Sequence, residues 1–260
     1  MKSAYGDHVK VALEGNVAVV ALDRPPHNFV SVELMRDLAD AMEDIDGHGP
    51  ARAIVLQTEG KTFSGGADFS SDTDRVASGM DGVQQLYAQA IRLFSVETPI
   101  VAAVQGAAVG AGLGLALVAD FRVAAPEARF AANFVKLAFH PGFGLTHTLP
   151  RLVGQQRANL MFLTGRRIKA EQALEWGLCD EVVPAAELRA AALRLAAEIA
   201  ENAPLAVVAT RKTLRAGLAD AVRAQTVIEH REQGLLRETE DFKEGVRSVA
   251  ERRPGNWVGR

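Results

Sequence analysis

Residues 99–120 read P-I-V-A-A-V-Q-G-A-A-V-G-A-G-L-G-L-A-L-V-A-D. The apolar opening, Ile100 to Val104, has the length and composition of a buried strand. Gly106, Gly110, Gly112 and Gly114 follow at close spacing, and Leu115 to Ala119 reads as helix. A strand feeding a glycine-rich turn that opens a helix leaves unpaired N–H groups in front of the first turn, where the helix dipole favours negative charge. Glycine lets backbone approach backbone or ligand because no Cβ intervenes. Three readings stand side by side: a phosphate cradle, a cradle for the oxyanion of a reacting carbonyl, and a helix packed closely on a sheet with no ligand. The phosphate signatures fit poorly. Gly110-Ala111-Gly112-Leu113-Gly114 misses the third glycine of G-x-G-x-x-G by one place, and Gly60-Lys61-Thr62 lacks a P-loop's first glycine because Val55 stands there.

A second glycine-rich loop lies upstream. Ala53 to Leu56 is strand-like, and Gly60-Lys61-Thr62-Phe63-Ser64-Gly65-Gly66-Ala67-Asp68-Phe69 follows it. Ser64 is no nucleophile elbow, because Thr62 replaces the first glycine of G-x-S-x-G; it reads as a loop hydroxyl. Before this loop, Val17 to Leu22 reads as a strand ended by Asp23-Arg24-Pro25-Pro26. Ser31 can cap a helix from Val32 to Asp46 whose Leu34, Leu38, Met42 and Ile45 share one face. Two strands separated by an amphipathic helix imply a parallel crossover. The Ser71–Gly82 stretch is polar and glycine-containing, and Val83 to Val96 is helical.

Beyond Asp120, Phe121 to Ala125 reads as a strand. Helices are expected over 146–152, 155–163 and 170–176, each closed by a glycine, Gly154, Gly165 or Gly177. A last strand is expected over 181–183, and then helices over 185–202, 205–217 and 219–252. Strands interspersed with helices, then helices alone, give an α/β core with a helical C-terminal segment.

Hydrophobic residues at 48% and charged residues at 23% permit a large core and exclude global disorder. A net charge of −3 and the lack of a basic stripe with interleaved aromatics argue against a nucleic-acid partner. Cys179 is the sole cysteine, so no intramolecular disulfide is possible, which fits a reducing compartment. In W-G-L-C-D-E-V-V it reads as a small buried residue. No signal-like start and no membrane-length apolar run are present, so a cytoplasmic protein without membrane insertion is expected. No His/Cys/Asp/Glu cluster has metal-ligand spacing, and no metal is expected.

Taken together, L-D-R-P-P-H-N near the start, G-K-T-F-S-G-G-A-D at 60–68 and the 99–120 stretch resemble the enoyl-CoA hydratase/isomerase (crotonase) superfamily. A-R-F at 128–130, L-P-R-L-V-G at 149–154, L-T-G-R-R-I-K-A-E-Q-A-L-E-W-G-L at 163–178 and the terminal E-R-R-P-G-N-W extend the likeness over nearly the whole chain. The resemblance implies a spiral of ββα turns over 1–200 and a C-terminal helical segment, 201–260, that trimerises and covers the CoA. A homo-trimer or a dimer of trimers is expected. It implies an acyl-CoA thioester as partner, with coenzyme A as part of the substrate and no separate cofactor.

Two backbone N–H groups would hold the thioester oxygen and stabilise an enolate; by position these belong to Ala67 and Ala111. Such donors typically contribute about 2.7–4 kcal/mol each at a developing oxyanion. Family hydratases add water with two glutamates, one three residues after the second donor and one after A-x-F. Here those places hold Gly114 and Phe134. A positioned acid or base is worth about 10²–10⁴-fold, so ordinary hydration is not expected. His140 is the candidate substitute, since imidazole titrates near neutral pH; a histidine packed on Pro141 and Phe143 is the competing reading. Asp68, next to the first donor, completes the pocket with Gly114 and Phe134. Asp72 and Asp74 could enter from above. Pro26, His27, Trp257 and Arg260 match segments that flank CoA in the family. The alternatives are an acyl-CoA-binding protein without turnover and a divergent acyl-CoA decarboxylase or hydrolase.

Overall fold

A computed structural model of the chain describes residues 2–67 and 81–260. The strands are β1 (Ala4–Tyr5), β2 (Val9–Glu14), β3 (Val17–Leu22), β4 (Ala53–Thr58), β5 (Ile100–Val104), β6 (Ala107–Val109), β7 (Phe121–Ala124), β8 (Arg129–Ala131), β9 (Arg167–Lys169) and β10 (Glu181–Val182). Helices α1 (Val32–His48), α2 (Gly82–Ser95), α3 (Ala111–Ala116), α4 (Leu145–Val153), α5 (Gln155–Thr164) and α6 (Ala170–Glu175) alternate with them. Helices α7 (Leu188–Ala200), α8 (Pro204–Leu214), α9 (Leu218–Arg237) and α10 (Glu240–Ala250) close the chain.

Two sheets organise the described residues. The larger runs β1-β2-β3-β4-β5-β7-β10 and the smaller β6-β8-β9. From β3 to β10 the larger sheet is parallel, with Val17 opposite Ala53 and Val101 opposite Phe121. The chain repeatedly leaves the large sheet and enters the small one. β5 passes to β6 and β7 to β8, and after β4 Ser64 bridges to Ala108. The strand–strand–helix unit therefore recurs, as the expected spiral requires. The antiparallel β1 and β2, and the short β6, β8 and β9, were not read from the sequence.

The central strands are apolar at consecutive positions because both faces of the sheet are covered. Val17, Val19, Ala53, Val55, Val101 and Ala103 face α7, meeting its Leu188, Ala192 and Ala196. Their alternates, Val20, Leu22, Ile54, Leu56, Ala102 and Val104, join the main core with α1, α2 and α3. Small residues on α7 allow it to lie close to the sheet. The Ser31 cap is realised: its side chain accepts from Leu34 N–H at 3.2 Å. The expected 219–252 helix is two helices, because Thr239 caps a new start by accepting from Phe242 N–H at 3.1 Å. Cys179 is buried, with its thiol pushed up to about 11 by burial, as a structural cysteine should be.

One buried ionic node ties the C-terminal helices to the sheet. Asp120, at the end of the quoted stretch, accepts from Ile100 N–H at 2.8 Å, Arg211 Nε at 2.8 Å and Arg215 Nη1 at 3.0 Å. Arg211 is 8% exposed and also donates to the Val96 carbonyl. Removing one partner of such a node leaves charge buried without compensation. Asp120→Ala should therefore lower unfolding free energy by about 3–5 kcal/mol in urea titration. A loss under about 1 kcal/mol would assign the node to the surface class of ion pairs.

Candidate active site

The two glycine-rich loops lie against each other. Ser64 N–H donates to the Ala107 carbonyl at 2.9 Å, and Val109 N–H to the Ser64 carbonyl at 3.0 Å. A Cβ on Gly106 would overlap the Lys61 carbonyl, and one on Gly112 would stand 2.6 Å from Ser64 Cβ. These glycines are required by close approach of main chain to main chain. Asn28, buried and left-handed at φ 49°, fastens the upstream loop. Its Nδ2 donates to the Glu59 and Thr62 carbonyls, both at 2.8 Å, and its own carbonyl accepts from Ser64 Oγ at 2.8 Å. Gln105 Nε2 adds bonds to the Thr58 carbonyl and hydroxyl at 2.9 and 2.8 Å.

This lacing sets Ala67 and Ala111 in one wall of a cavity of about 340 Å³. A Cβ on Gly66 would stand 3.9 Å from Ala111 N, which measures how close the loops are. Ala111 opens α3, so its N–H has no acceptor within the helix. Among the described residues neither Ala67 N–H nor Ala111 N–H has a hydrogen-bond partner. The other walls are largely apolar: Phe29, Leu86, Phe134, Phe139, Phe143 and Val249 are among them.

Gly114 and Phe134 decide what chemistry the walls can do. A Cβ on Gly114 would stand 2.5 Å from Phe143 Cδ1, so the fully buried Phe143 ring occupies the space a longer side chain there would need. Phe134 heads a short 3-10 turn, and its ring lies 3.6 Å from where a Cβ on Gly110 would sit. Phe143 itself is left-handed at φ 64°, a costly conformation for a bulky residue. The surrounding bonds hold it there. Tyr87 Oη packs against the same loop at Gly142. Glu229 on α9 accepts from Gly144 N–H at 2.7 Å, Thr146 N–H at 3.0 Å and Thr146 Oγ1 at 2.5 Å. Tyr87 Oη in turn donates to Gln233 Oε1 at 2.9 Å, and Gln233 Nε2 to the His140 carbonyl at 2.9 Å. Burial, then the charge of Glu229, raises the Tyr87 phenol, so it stays protonated. Burial also outweighs the three donors at Glu229 and pushes its carboxyl up to about 7.

The structure brings together some of the expected residues and not others. Ala67, Ala111 and Phe134 line the cavity, and Gly114 lies behind Phe143. His140 is not among the lining residues; its Nδ1 lies 2.7 Å from the Pro141 carbonyl, in the packed arrangement that competed with a catalytic one. Asp68, Asp72 and Asp74 lie outside the described residues. Pro26 and His27 are exposed on the loop beside Phe29, where the His27 carbonyl accepts from Gly65 N–H at 2.8 Å. Trp257 and Arg260 sit on a tail folded back over α10. Val258 and Gly259 N–H bond Asp241 there, and the Arg260 carbonyl accepts from Glu240 N–H at 2.7 Å. Neither residue lines the cavity. The sequence reading missed Asn28, Tyr87, Phe143, Glu229, Gln233 and Arg237. A signal existed for two of them: Val222, Thr226, Glu229 and Gln233 fall at helical spacing on one buried face, which is unusually polar. Among the described residues no group of three or more His, Cys, Asp or Glu is placed to hold a metal ion.

A family model described as enoyl-CoA hydratase/isomerase matches residues 12–260. The chain belongs to the enoyl-CoA hydratase/isomerase family. It is 36% identical over 257 residues to a Rhodobacter capsulatus protein named "Probable enoyl-CoA hydratase", covering 97% of this chain and 98% of that one. It is 32% identical over 253 residues to the carnitinyl-CoA dehydratase of Salmonella typhi, covering 95% and 96%. A crystal structure of enoyl-CoA hydratase/isomerase from Pseudoalteromonas atlantica superposes with a TM-score of 0.86 at 32% identity, covering 97% of this chain and all of that one. The mixed α/β architecture with helices at the C-terminus is thus the crotonase fold.

Within this crotonase fold, the Gly114–Phe143 contact is testable by a double-mutant cycle. Gly114→Ala should cost about 1–3 kcal/mol by overpacking. Combined with Phe143→Leu, it should cost less than the sum of the two changes by at least about 0.5 kcal/mol in urea unfolding; strict additivity would mean the contact is not made. Glu229 gives a pH prediction. Its folded pKa lies above its unfolded value, so its stabilising term is fully present below pH 4.5 and is lost as pH rises toward about 7. Stability should fall across that window in wild type and fall less steeply in Glu229→Gln.

Proposed function

We propose that this chain is an acyl-CoA enzyme of the enoyl-CoA hydratase/isomerase type that holds a thioester oxygen between Ala67 N–H and Ala111 N–H and stabilises the enolate formed there. The observation that carries the reading is the pair of unpartnered N–H groups, fixed by two interlaced loops in the wall of a largely apolar cavity. As an electron pair moves from the α-carbon onto the carbonyl oxygen, both donors strengthen their bonds to it. They need not reorganise, because Asn28, Gln105 and the Ser64 ladder already fix the loops. The aromatic walls lower the local dielectric and increase what each donor contributes. Side chains at 67 and 111 are not required, so alanine at both positions is compatible with this role.

In this reading the two glutamates of family hydratases are absent, with Gly114 and Phe134 in their places. Phe143 fills the first place and the Phe134 ring covers the second. No cavity-lining residue among those described carries a carboxylate or an imidazole. Water addition through a glutamate pair is therefore not the proposed reaction; an enolate reached by another route is. A binding protein without turnover is the second reading, favoured by the same lack of a lining acid or base. Exposed Leu205, Leu214, Val227 and Leu235 on α8 and α9 support self-association through the C-terminal helices.

The deciding experiment incubates the protein with a panel of acyl-CoAs in D₂O and follows mass. Deuterium gain at the α-carbon, loss of CO₂ or release of free CoA supports the enzyme; bound but unchanged thioesters support the binding protein. Hydration of enoyl-CoA should be slower than in a two-glutamate hydratase by at least about 10²-fold. Phe134→Glu should raise it. Hydration at full family rate by the wild type would overturn the proposed reaction.

A further inference from the structure

We propose that Arg237 selects acyl groups that end in a carboxylate; the inference rests on the acyl-CoA reading above and names its substrate class. Among the described residues lining the cavity, Arg237 alone is charged. It stands in the last turn of α9, one turn beyond Gln233, on the side of the cavity formed with Phe139 and Val249. Its guanidinium carbon lies 5.6 Å from the centroid of the Phe139 ring. A cation over an aromatic ring at that distance is attracted to it, which holds the guanidinium beside the Phe139 wall.

Those N–H groups have no hydrogen-bond or ion-pair partner among the described residues. Asp81, whose charge acts on Arg237, and the carboxylates of α10 are already engaged. Asp81 holds His230 Nε2 at 2.6 Å and Gln84 N–H at 2.8 Å. Asp241 holds the Val258 and Gly259 N–H groups, and Glu244 holds Arg247 and Arg253. The neighbouring polar groups of the wall are also spent on each other, since Tyr87 Oη bonds Gln233 Oε1 and Gln233 Nε2 bonds the His140 carbonyl.

An unpaired arginine lining a largely apolar cavity is poorly matched to a plain hydrocarbon chain, which offers it nothing. It matches an ω-carboxylate, whose two oxygens fit the guanidinium fork. The same charge disfavours an acyl group that ends in a quaternary ammonium. The cavity then divides its recognition. Ala67 and Ala111 N–H meet the thioester, the aromatic walls meet the methylene stem, and Arg237 meets the terminus.

The test titrates the full chain by calorimetry with matched acyl-CoAs of about four to eight carbons, each length as the plain acyl, the ω-carboxyacyl and the ω-trimethylammonio form, and with free CoA. Arg237 is exposed, so solvent screening limits the effect. The ω-carboxyacyl form should bind at least about fivefold more tightly than the plain form at one or more lengths, and the ammonium form more weakly than either. In Arg237→Met the ratio should fall to one, and Arg237→Lys should fall between. Equal binding of the plain and ω-carboxyacyl forms by wild type at every length would overturn the proposal. A uniform weakening of free CoA and all acyl-CoAs by Arg237→Met would also overturn it, placing Arg237 on the CoA phosphates. A lowered melting temperature with the ratio preserved would do so too, placing it in helix stability. If no acyl-CoA of any kind binds, the acyl-CoA reading itself fails and carries this inference with it.

Discussion

Between Lys61 and Ser64 on one loop and Gly106 and Gly112 on the other, main chain lies against main chain with no room for a Cβ. This close approach is the constraint from which the site follows. It joins the loop after β4 to the start of β6 and α3, so the chain crosses from the large sheet to the small one at a fixed place. It also sets Ala67 and Ala111 in the wall of the same cavity. The positions of backbone donors are set by the fold and not by rotamers. Asn28 and Gln105 supply amide donors to the loop carbonyls that the close packing shields from water, so the approach leaves few polar groups unpaired.

Opposite those donors the cavity is built to be apolar and rigid. Phe143 accepts a left-handed backbone, and the cost is offset by Glu229 and Tyr87, which hold the loop around it. Because Phe143 rests on Gly114, a larger side chain cannot be placed at 114 without also moving the loop at 142–146. Phe134 heads a short turn, is buried in the main core and lies against Gly110.

Much of the fold was legible because it is written in long apolar runs and in glycine spacing. The parallel crossover, the capped helix after Ser31 and the strand–turn–helix at 99–120 all follow from local physics. The short strands β6, β8 and β9 did not, because three-residue segments carry no usable period and form only when the loops are laced together. Ala67 and Ala111, named in the sequence from their glycine-rich loops, both line the cavity. The site was not legible where it depends on contacts between distant segments. Phe143 meets Gly114 from 29 positions along the chain, and Glu229 reaches Gly144 from 85. His140 was one of two readings in sequence, an acid/base or a histidine packed on its neighbours; its Nδ1 lies 2.7 Å from the Pro141 carbonyl.

Helix α9 connects these observations. An ordinary surface helix buries an apolar stripe and exposes polar residues. Here the buried face carries Thr226, Glu229 and Gln233, while Val227 and Leu235 on the outer side are 68% and 66% exposed. The inward polar groups are explained by the site: Glu229 anchors the Phe143 loop, Gln233 braces Tyr87, and Arg237 completes the cavity wall. The outward apolar groups are not explained by packing within the single chain. If a second copy covers them, α9 becomes a rigid plate between the subunit contact and the cavity. The positions of Phe143 and Arg237 would then depend on assembly, because both are set from this one helix. Cavity shape and self-association would in that case be a single property of the protein, and a substitution on the outer face of α9 would be felt at the substrate.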